Sequence, residues 1–226
     1  MIGQSPFRLF ASPLILAIGG MAALAVSPGF SQTPSTSLNE KPVNEKANPK
    51  ESVVTLAGGC FWCTEAVYER MEGVNDVVSG YIGGTMVNPD YDSVCRGTTG
   101  HAEAVEVYYD PSVTSYEEIL KVFFKTHDPT TLNRQGADVG TQYRSAIFYH
   151  DDSEKQAAEA FIAKLSAAEF GGRIVTTLEP AATFYPAEEY HQDYYRKNPN
   201  AGYCRAVVRT KVKKFENIFE DKVKKD

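Results

Sequence analysis

Residues 51–226 predict a mixed α/β or α+β layered domain. Strand-like and helix-like segments alternate along this region, and hairpin-like strand neighbours also occur. The chain of 226 residues is 42% hydrophobic and 23% charged, an ordinary globular composition that can bury one sizeable core. We therefore expect one domain with extensions rather than two full domains.

The first 31 residues are predicted to be a signal peptide rather than part of the fold. Arg8 precedes an apolar stretch at residues 9–26, and small residues stand near its end. Because that stretch is close to the shortest length that crosses a membrane, an uncleaved N-terminal anchor is the alternative. Residues 32–50 are rich in Pro, Ser, Asn, Lys and Glu, which predicts a disordered linker. The protein is therefore expected to be exported, to the periplasm or another extracytoplasmic space.

The first half of the domain predicts three strands and two helices in alternating order. Gly73 is expected to cap the first helix, and Ser115 with Glu118 three residues later has the capping-box pattern that begins the second. The predicted strands cover residues 53–56, 77–82 and 102–109, the first helix covers residues 62–71, and a long loop covers residues 85–100.

The second half predicts two further strands and three helices after a second long loop. Asn198 and Pro199 are expected to stop the helix that precedes them, because the residue before proline disfavours helical angles. The loop covers residues 127–143. The strands cover residues 145–150 and 174–178, and the helices cover residues 152–166, 188–196 and the segment carrying Val212, Phe215, Ile218 and Phe219.

Cys60 is the candidate nucleophile, because it stands between a β-branched run and the start of a predicted helix. Unpaired N–H groups and the positive end of the helix dipole at that position favour a thiolate and lower a thiol pKa. The structural alternative is that Gly58, Gly59 and Cys60 only form a tight turn. The adjoining Phe61 and Trp62 favour the catalytic interpretation.

Glu103 is the candidate buried acid. In the predicted strand it has the same period-2 phase as the apolar Val105, Val107 and Tyr109. A carboxyl group on the apolar face should be poorly solvated, which raises its pKa. The alternative is an exposed strand end where Glu103 points into water.

Composition and spacing also exclude several classes of protein. A net charge of −6 argues against nucleic-acid binding. The basic residues near the C-terminus are interleaved with Glu and Asp, which favours a solvated helix face over a binding patch. The four histidines lack paired ligand spacing, which argues against zinc. Four cysteines in an exported protein usually form structural disulfides, but Cys60 and Cys63 have the C-x-x-C spacing of redox motifs.

Ten short segments within residues 52–210 resemble segments of the peptide methionine sulfoxide reductases of the A type, and they occur in the same order as in that family. Each segment is weak alone, and together they are highly specific. They are Gly59-Cys60-Phe61-Trp62, Gly80-Tyr81-x-Gly83-Gly84, Asn88-Pro89-x-Tyr91, Val94-Cys95-x-Gly97, Thr99-Gly100-His101-Ala102-Glu103, His127-Asp128-Pro129, Gly140-Thr141-Gln142-Tyr143-Arg144-Ser145, Phe184-Tyr185-x-Ala187-Glu188, His191-Gln192 and Gly202-Tyr203-Cys204.

This resemblance implies a two-layer α+β sandwich of ferredoxin-like plan. It also implies reduction of methionine S-sulfoxide, free or in proteins, to methionine, since one enzyme type serves each sulfoxide epimer. Protein repair after oxidative stress follows from that activity.

The resemblance further implies a role for each site residue. Cys60 would attack the sulfoxide sulfur while Glu103 hands a proton to the oxygen. Tyr91, Asp138 and Tyr143 would surround that oxygen. The substrate methyl group would lie against the aromatic faces of Phe61 and Trp62.

The resolving cysteine stays open between Cys204 and Cys63. Attack would leave Cys60 as a sulfenic acid, which condenses with a second thiol to a disulfide. Cys204 matches the family's recycling cysteine and is predicted to lie in a flexible loop, whereas Cys63 stands where many relatives have glycine. A relay through both is a further possibility. Cys95 is predicted to be buried and structural, and His101 and His191 to be supporting residues.

An external dithiol such as thioredoxin, or an extracytoplasmic equivalent, would reduce the disulfide, and no bound metal or organic cofactor is implied. Contact with a membrane would come only from an uncleaved N-terminus, and a monomer is expected. Two alternatives remain: a dithiol–disulfide oxidoreductase that works through Cys60 and Cys63, and an exported binding module stapled by disulfides.

Overall fold

A six-stranded sheet forms the centre of residues 51–225, the part of the chain that the computed structural model describes. Its strands follow the spatial order β7-β6-β1-β3-β2-β8, and two further strands form a small hairpin. The strands are β1 (Ser52–Gly58), β2 (Val74–Ile82), β3 (Ala102–Tyr109), β4 (Arg134–Gln135), β5 (Asp138–Val139), β6 (Ser145–Tyr149), β7 (Thr177–Pro180) and β8 (Tyr185–Pro186).

Six α-helices accompany the strands in this part of the chain. Two have π-helical turns beside them, at Ser166–Phe170 and Cys204–Val208, and 3-10 turns lie at Thr141–Tyr143, Glu189–His191 and Glu220–Lys222. The helices are α1 (Phe61–Tyr68), α2 (Tyr91–Cys95), α3 (Tyr116–Thr126), α4 (Asp152–Leu165), α5 (Tyr194–Lys197) and α6 (Arg209–Ile218).

The four central strands have ferredoxin-like topology. Strand β1 pairs antiparallel with β3 and β6, and β3 pairs antiparallel with β2. Helix α1 connects β1 to β2, which have β3 between them, and α3 lies in the connection from β3 to β6, which have β1 between them. This is the arrangement of split βαβ units. The predicted α+β sandwich of ferredoxin-like type is therefore confirmed.

The main core lies between one face of the sheet and the helices. Leu56, Val105 and Ile147 are register neighbours on three adjacent strands, and all three are fully buried beneath α1 and α3. Burial of each such side chain stabilises the fold by about 1.5–3 kcal/mol. The opposite face carries a smaller cluster around Ala104 and Phe148.

The capping-box prediction is confirmed at the start of α3. The Glu118 N–H donates to Ser115 Oγ at 3.2 Å, and the Ser115 N–H donates to Glu118 Oε2 at 2.9 Å. These reciprocal bonds satisfy two N–H groups that a helix start otherwise leaves unpaired.

Three sequence predictions in the second half are wrong in detail. The strand expected at residues 174–178 lies at Thr177–Pro180, where pairing with β6 sets its register. The helix expected at residues 188–196 is interrupted, because Asp193 has a left-handed φ of 56°. Cys204 is not in a loop but begins a π-helical turn that continues into α6.

Gly73 also differs from its predicted role as a helix cap. Helix α1 ends earlier, with Glu69 as its cap, and Gly73 forms the turn into β2 at a φ of 84°.

The predicted signal peptide at residues 1–31 and linker at residues 32–50 lie outside the described residues. Within residues 51–225, none of the helices combines the length and the apolar character that a membrane crossing requires.

Candidate active site

Cys60 lies where the central strand β1 gives way to α1. Gly59 turns the chain there with a φ of 95°, and Cys60 is the N-cap residue of the helix. A Cβ on Gly59 would come within 2.5 Å of Gln135 Cγ, so only glycine fits both the turn and this close packing. The same contact holds the β4–β5 hairpin, which carries Asp138, beside Cys60.

Glu103 faces Cys60 from the adjacent strand. Because β1 and β3 run antiparallel with Leu56 opposite Val105, the end of β1 lies next to the start of β3. The Phe61 N–H at the start of α1 donates to Glu103 Oε2 at 3.1 Å, and the Cys60 thiol also bonds to this carboxyl. The side chain is 1% exposed, and burial raises its pKa to about 8. The predicted burial of Glu103 is confirmed, and the carboxyl is mostly protonated at neutral pH.

Cys60 and Cys63 form a buried thiol pair, and their ionisation differs from the sequence expectation. Burial raises the pKa of Cys60 well above its ordinary value, and its hydrogen bond to Cys63 and the charge of Glu103 act in the same direction. The Trp62 N–H lowers this pKa by less. The helix start therefore acts in the predicted direction, but burial outweighs it, and the prediction of a lowered pKa for Cys60 is wrong for the substrate-free protein.

The negative charge is instead favoured on Cys63. Its pKa is lowered to about 7, chiefly because its sulfur accepts the hydrogen bond of the Cys60 thiol. The charge of Lys211 also lowers it. In this pair Cys60 is the nucleophile, and the Cys63 thiolate is the base that can take its proton.

Tyr203 joins this pair to Asp138. Its hydroxyl donates to Asp138 Oδ2 at 2.6 Å and lies 3.9 Å from Cys63 Sγ. Sequence reasoning gave Tyr203 no role, although it stands in the segment that resembles the family. With thirteen tyrosines in the chain, only its neighbour Cys204 could have indicated it.

Aromatic rings form one wall of the site. The Phe61 ring is fully buried and packs against the rings of Tyr91 and His191. Trp62 is partly exposed, and its Nε1–H donates to His191 Nδ1 at 3.1 Å. The Trp62 indole also stacks on Tyr194, with ring centroids 3.7 Å apart. Trp62 is thus accessible to a substrate, whereas Phe61 is not.

The other residues predicted around the sulfoxide oxygen converge on Glu103. Burial raises the pKa of Tyr91 and of Tyr143, and the nearby Glu103 charge acts in the same direction on both. The charge of Asp138 in turn contributes to the raised pKa of Glu103. The fold therefore brings Tyr91, at the start of α2, to the same place as Asp138 and Tyr143, which lie on the segment between β4 and β6.

Cys204 and Cys95 occupy different surroundings. Cys204 is fully buried in the helical layer, beside Tyr203 in sequence. Cys95 ends α2, bonds to the Tyr91 hydroxyl and is only partly buried. The prediction of a buried Cys95 is wrong, because the short helix α2 lies near the surface.

The supporting histidines are fixed by hydrogen bonds. His101 accepts from the Gly84 N–H at 3.1 Å, and its other ring nitrogen lies 2.8 Å from the Met86 carbonyl oxygen. Burial lowers the pKa of His191, which keeps it neutral and able to accept from Trp62. Over residues 51–225, no three His, Cys, Asp or Glu side chains are grouped so as to hold a metal ion.

The raised pKa of Glu103 predicts a pH dependence of stability. Because the folded pKa lies near 8 and the ordinary value is 4.5, this group stabilises the folded state below pH 4.5 and loses that contribution as pH rises through 8. Urea unfolding from pH 5 to 8 should show a falling free energy of unfolding. Glu103→Gln should flatten that fall by up to about 1.4 kcal/mol per pH unit. Glu106→Gln, on the same strand, is the matched control, and equal slopes for both variants would contradict the assignment.

The sequence is similar to curated methionine sulfoxide reductases over most of its length. Residues 52–223 match the family model described as peptide methionine sulfoxide reductase. Peptide methionine sulfoxide reductase MsrA 1 of Rhodopirellula baltica is 67% identical over 182 residues, which cover 80% of this chain and 94% of that relative. The MsrA of Deinococcus radiodurans is 59% identical over 170 residues, covering 75% and 82%.

Solved structures give the same result for the fold. Mxr1 from Saccharomyces cerevisiae in reduced form matches with a TM-score of 0.65 at 39% identity, over 70% of this chain and 91% of that one. Methionine sulfoxide reductase A of Corynebacterium diphtheriae matches with a TM-score of 0.65 at 37% identity, over 71% and 80%. The family match, the two relatives and the ferredoxin-like sheet agree: this chain belongs to the peptide methionine sulfoxide reductase A family.

Proposed function

We propose that this protein reduces methionine S-sulfoxide, in proteins and as the free amino acid, to methionine. The observation that carries the proposal is the contact of Cys60 with a buried, mostly protonated Glu103. Sulfoxide reduction needs a nucleophile for the sulfur and a neutral acid for the oxygen, because the oxygen must be protonated as its bond to sulfur breaks. Membership of the family supports the same activity and disfavours the simple dithiol–disulfide alternative.

The first step transfers oxygen from the substrate sulfur to Cys60. The Cys60 thiol gives its proton to Cys63 and attacks the sulfoxide sulfur, which forms a sulfur–sulfur bond while Glu103 protonates the oxygen. The sulfur–oxygen bond and the new sulfur–sulfur bond then break as the hydroxyl group passes to the Cys60 sulfur. The sulfoxide sulfur is reduced to the thioether of methionine, and the Cys60 sulfur is oxidised to a sulfenic acid. Tyr91 and Tyr143 can hold the oxygen through their hydroxyls.

The second step forms a disulfide and releases the oxygen as water. Cys63 is suited to attack the sulfenic sulfur first, because its sulfur already contacts that of Cys60. Residues i and i+3 of a helix lie about 5–6 Å apart at Cβ, slightly farther than the about 3.5–4.5 Å of a disulfide. Cys60 has the non-helical ψ of 124° of an N-cap, so the first turn can adjust there.

Cys204 is the candidate second partner. Its side chain is buried in a helical turn, so an exchange with Cys63 requires that turn to move. Reduction of the final disulfide consumes two electrons and two protons, which a thioredoxin-like dithiol supplies from outside. Neither step routes electrons through a bound metal or organic cofactor, and we propose that none is required.

Glu103→Gln tests the acid. The amide keeps the size of the side chain but has no proton to donate, so the single-turnover rate of methionine release should fall about 100-fold. Rapid quenching without reductant measures this rate on resolved sulfoxide epimers, with Glu106→Gln as the matched control. An unchanged rate would support the dithiol–disulfide alternative, and equal turnover of the two epimers would contradict the A-type activity.

Time-resolved mass mapping tests the order of the disulfides. After one turnover, Cys204→Ser should form the Cys60–Cys63 disulfide as fast as the unaltered protein does. Cys63→Ser should still release one equivalent of methionine but accumulate the sulfenic acid, which dimedone traps. A Cys60–Cys204 disulfide that forms first in the unaltered protein would overturn this order.

Export is proposed from the sequence of the N-terminal segment. A reporter enzyme fused after residue 50 should appear outside the cytoplasm and lack residues up to about 31, the length of a typical signal peptide. Leu16→Arg, which places a charge in the apolar stretch, should keep it inside. An uncleaved reporter in the membrane fraction would support an anchor, and an uncleaved cytoplasmic reporter would contradict export.

A further inference from the structure

Glu65 is a buried carboxyl group that the proposed chemistry does not use. It lies on α1, one helical turn after Trp62, and is 0% exposed. Three donors surround its two oxygens: Ser79 Oγ at 3.1 Å, the Asp193 N–H at 2.9 Å and the Tyr194 N–H at 3.1 Å. Burial of a carboxyl group is costly unless it is hydrogen-bonded. This set of bonds therefore joins α1 to a distant part of the chain.

The segment that Glu65 binds has an unusual backbone. Asp193 adopts a left-handed φ of 56°, a conformation that is uncommon outside glycine and in which aspartate is enriched. The two successive N–H groups of Asp193 and Tyr194 point to different oxygens of the same carboxyl, Oε1 and Oε2. A carboxylate accepts at both oxygens, whereas a glutamine amide presents one acceptor and one donor. The turn is thus matched to glutamate and not to glutamine.

This turn places the ring that supports Trp62. Tyr194 follows Asp193 directly, and its ring lies parallel to the Trp62 indole at 3.7 Å and 8°. His191, two residues before Asp193, accepts the Trp62 Nε1–H. Trp62 is therefore held by residues on both sides of the turn.

We propose that Glu65 is a positioning residue that fixes Trp62 in the wall of the substrate pocket through the Asp193–Tyr194 turn. The inference rests on the proposed function only in assigning Trp62 to the contact with the substrate methyl group. The hydrogen bonds of Glu65 go to Ser79, Asp193 and Tyr194 and not to the thiols. Its loss should weaken substrate binding while leaving the chemical step intact.

The chain contains one tryptophan, so fluorescence excited at the red edge of the indole band, where tyrosine does not absorb, reports on Trp62. At pH 8 the Glu65 carboxyl is mostly ionised, because burial raises its pKa only to about 7. There, Glu65→Gln should shift the emission maximum towards that of a solvated indole. Tyr194→Ala should produce the same shift, and Tyr194→Phe, which keeps a ring against the indole, should keep the original spectrum.

Kinetics on a peptide containing methionine S-sulfoxide supply the second readout. Glu65→Gln and Tyr194→Ala should raise KM about fivefold and leave kcat within about twofold, since uniform binding and not transition-state stabilisation is lost. Glu189→Gln, at an exposed position four residues before Asp193, controls for general disturbance of this segment.

Several outcomes would overturn the proposal. An unshifted spectrum for folded Glu65→Gln, or a fall in kcat at constant KM, would contradict a positioning role. If Glu65→Gln does not fold, Glu65→Asp keeps the charge but withdraws it from both N–H groups, and the same comparison applies. If the unaltered protein did not reduce the sulfoxide, the proposed function would fail, while the fluorescence series would still decide whether Glu65 positions Trp62.

Discussion

The contact between the start of α1 and the Glu103 carboxyl is the constraint on which the site depends. Strand pairing brings the end of β1 beside the start of β3, so the helix start and the carboxyl face each other across one strand spacing. The Phe61 N–H offers the carboxyl one hydrogen bond, which partly offsets its desolvation. Full burial dominates, and the acid keeps its proton at neutral pH.

This neutral acid also affects the thiols. A charged carboxylate beside Cys60 would oppose its ionisation, and protonation of Glu103 removes that repulsion. In the substrate-free protein the charge is nevertheless favoured on Cys63, where the Cys60 hydrogen bond and the charge of Lys211 stabilise it. Cys63 is therefore placed to take the proton of Cys60 first and to attack its sulfenic acid afterwards.

The rest of the site is assembled by loops that a few close contacts hold in place. Gln135 packs on Gly59 and holds the hairpin with Asp138 over the thiols. Glu188 accepts from the Tyr91 N–H at 2.9 Å and fixes the helix that carries this ring. Glu65 accepts from the N–H groups of Asp193 and Tyr194 and fixes the turn that supports Trp62. Each contact joins residues far apart in the chain, so the site exists only when the whole domain is folded.

The sequence by itself determined the strands around Glu103, the capping box at Ser115 and the family, because period-2 phase, local caps and short motifs are written in neighbouring residues. Only the tertiary structure decided where the charge of the thiol pair resides, that Cys204 is helical and buried, and that Tyr203 contacts Cys63. Burial and long-range contacts set these properties, and neither burial at a helix start nor the partner of a tyrosine can be read from local pattern.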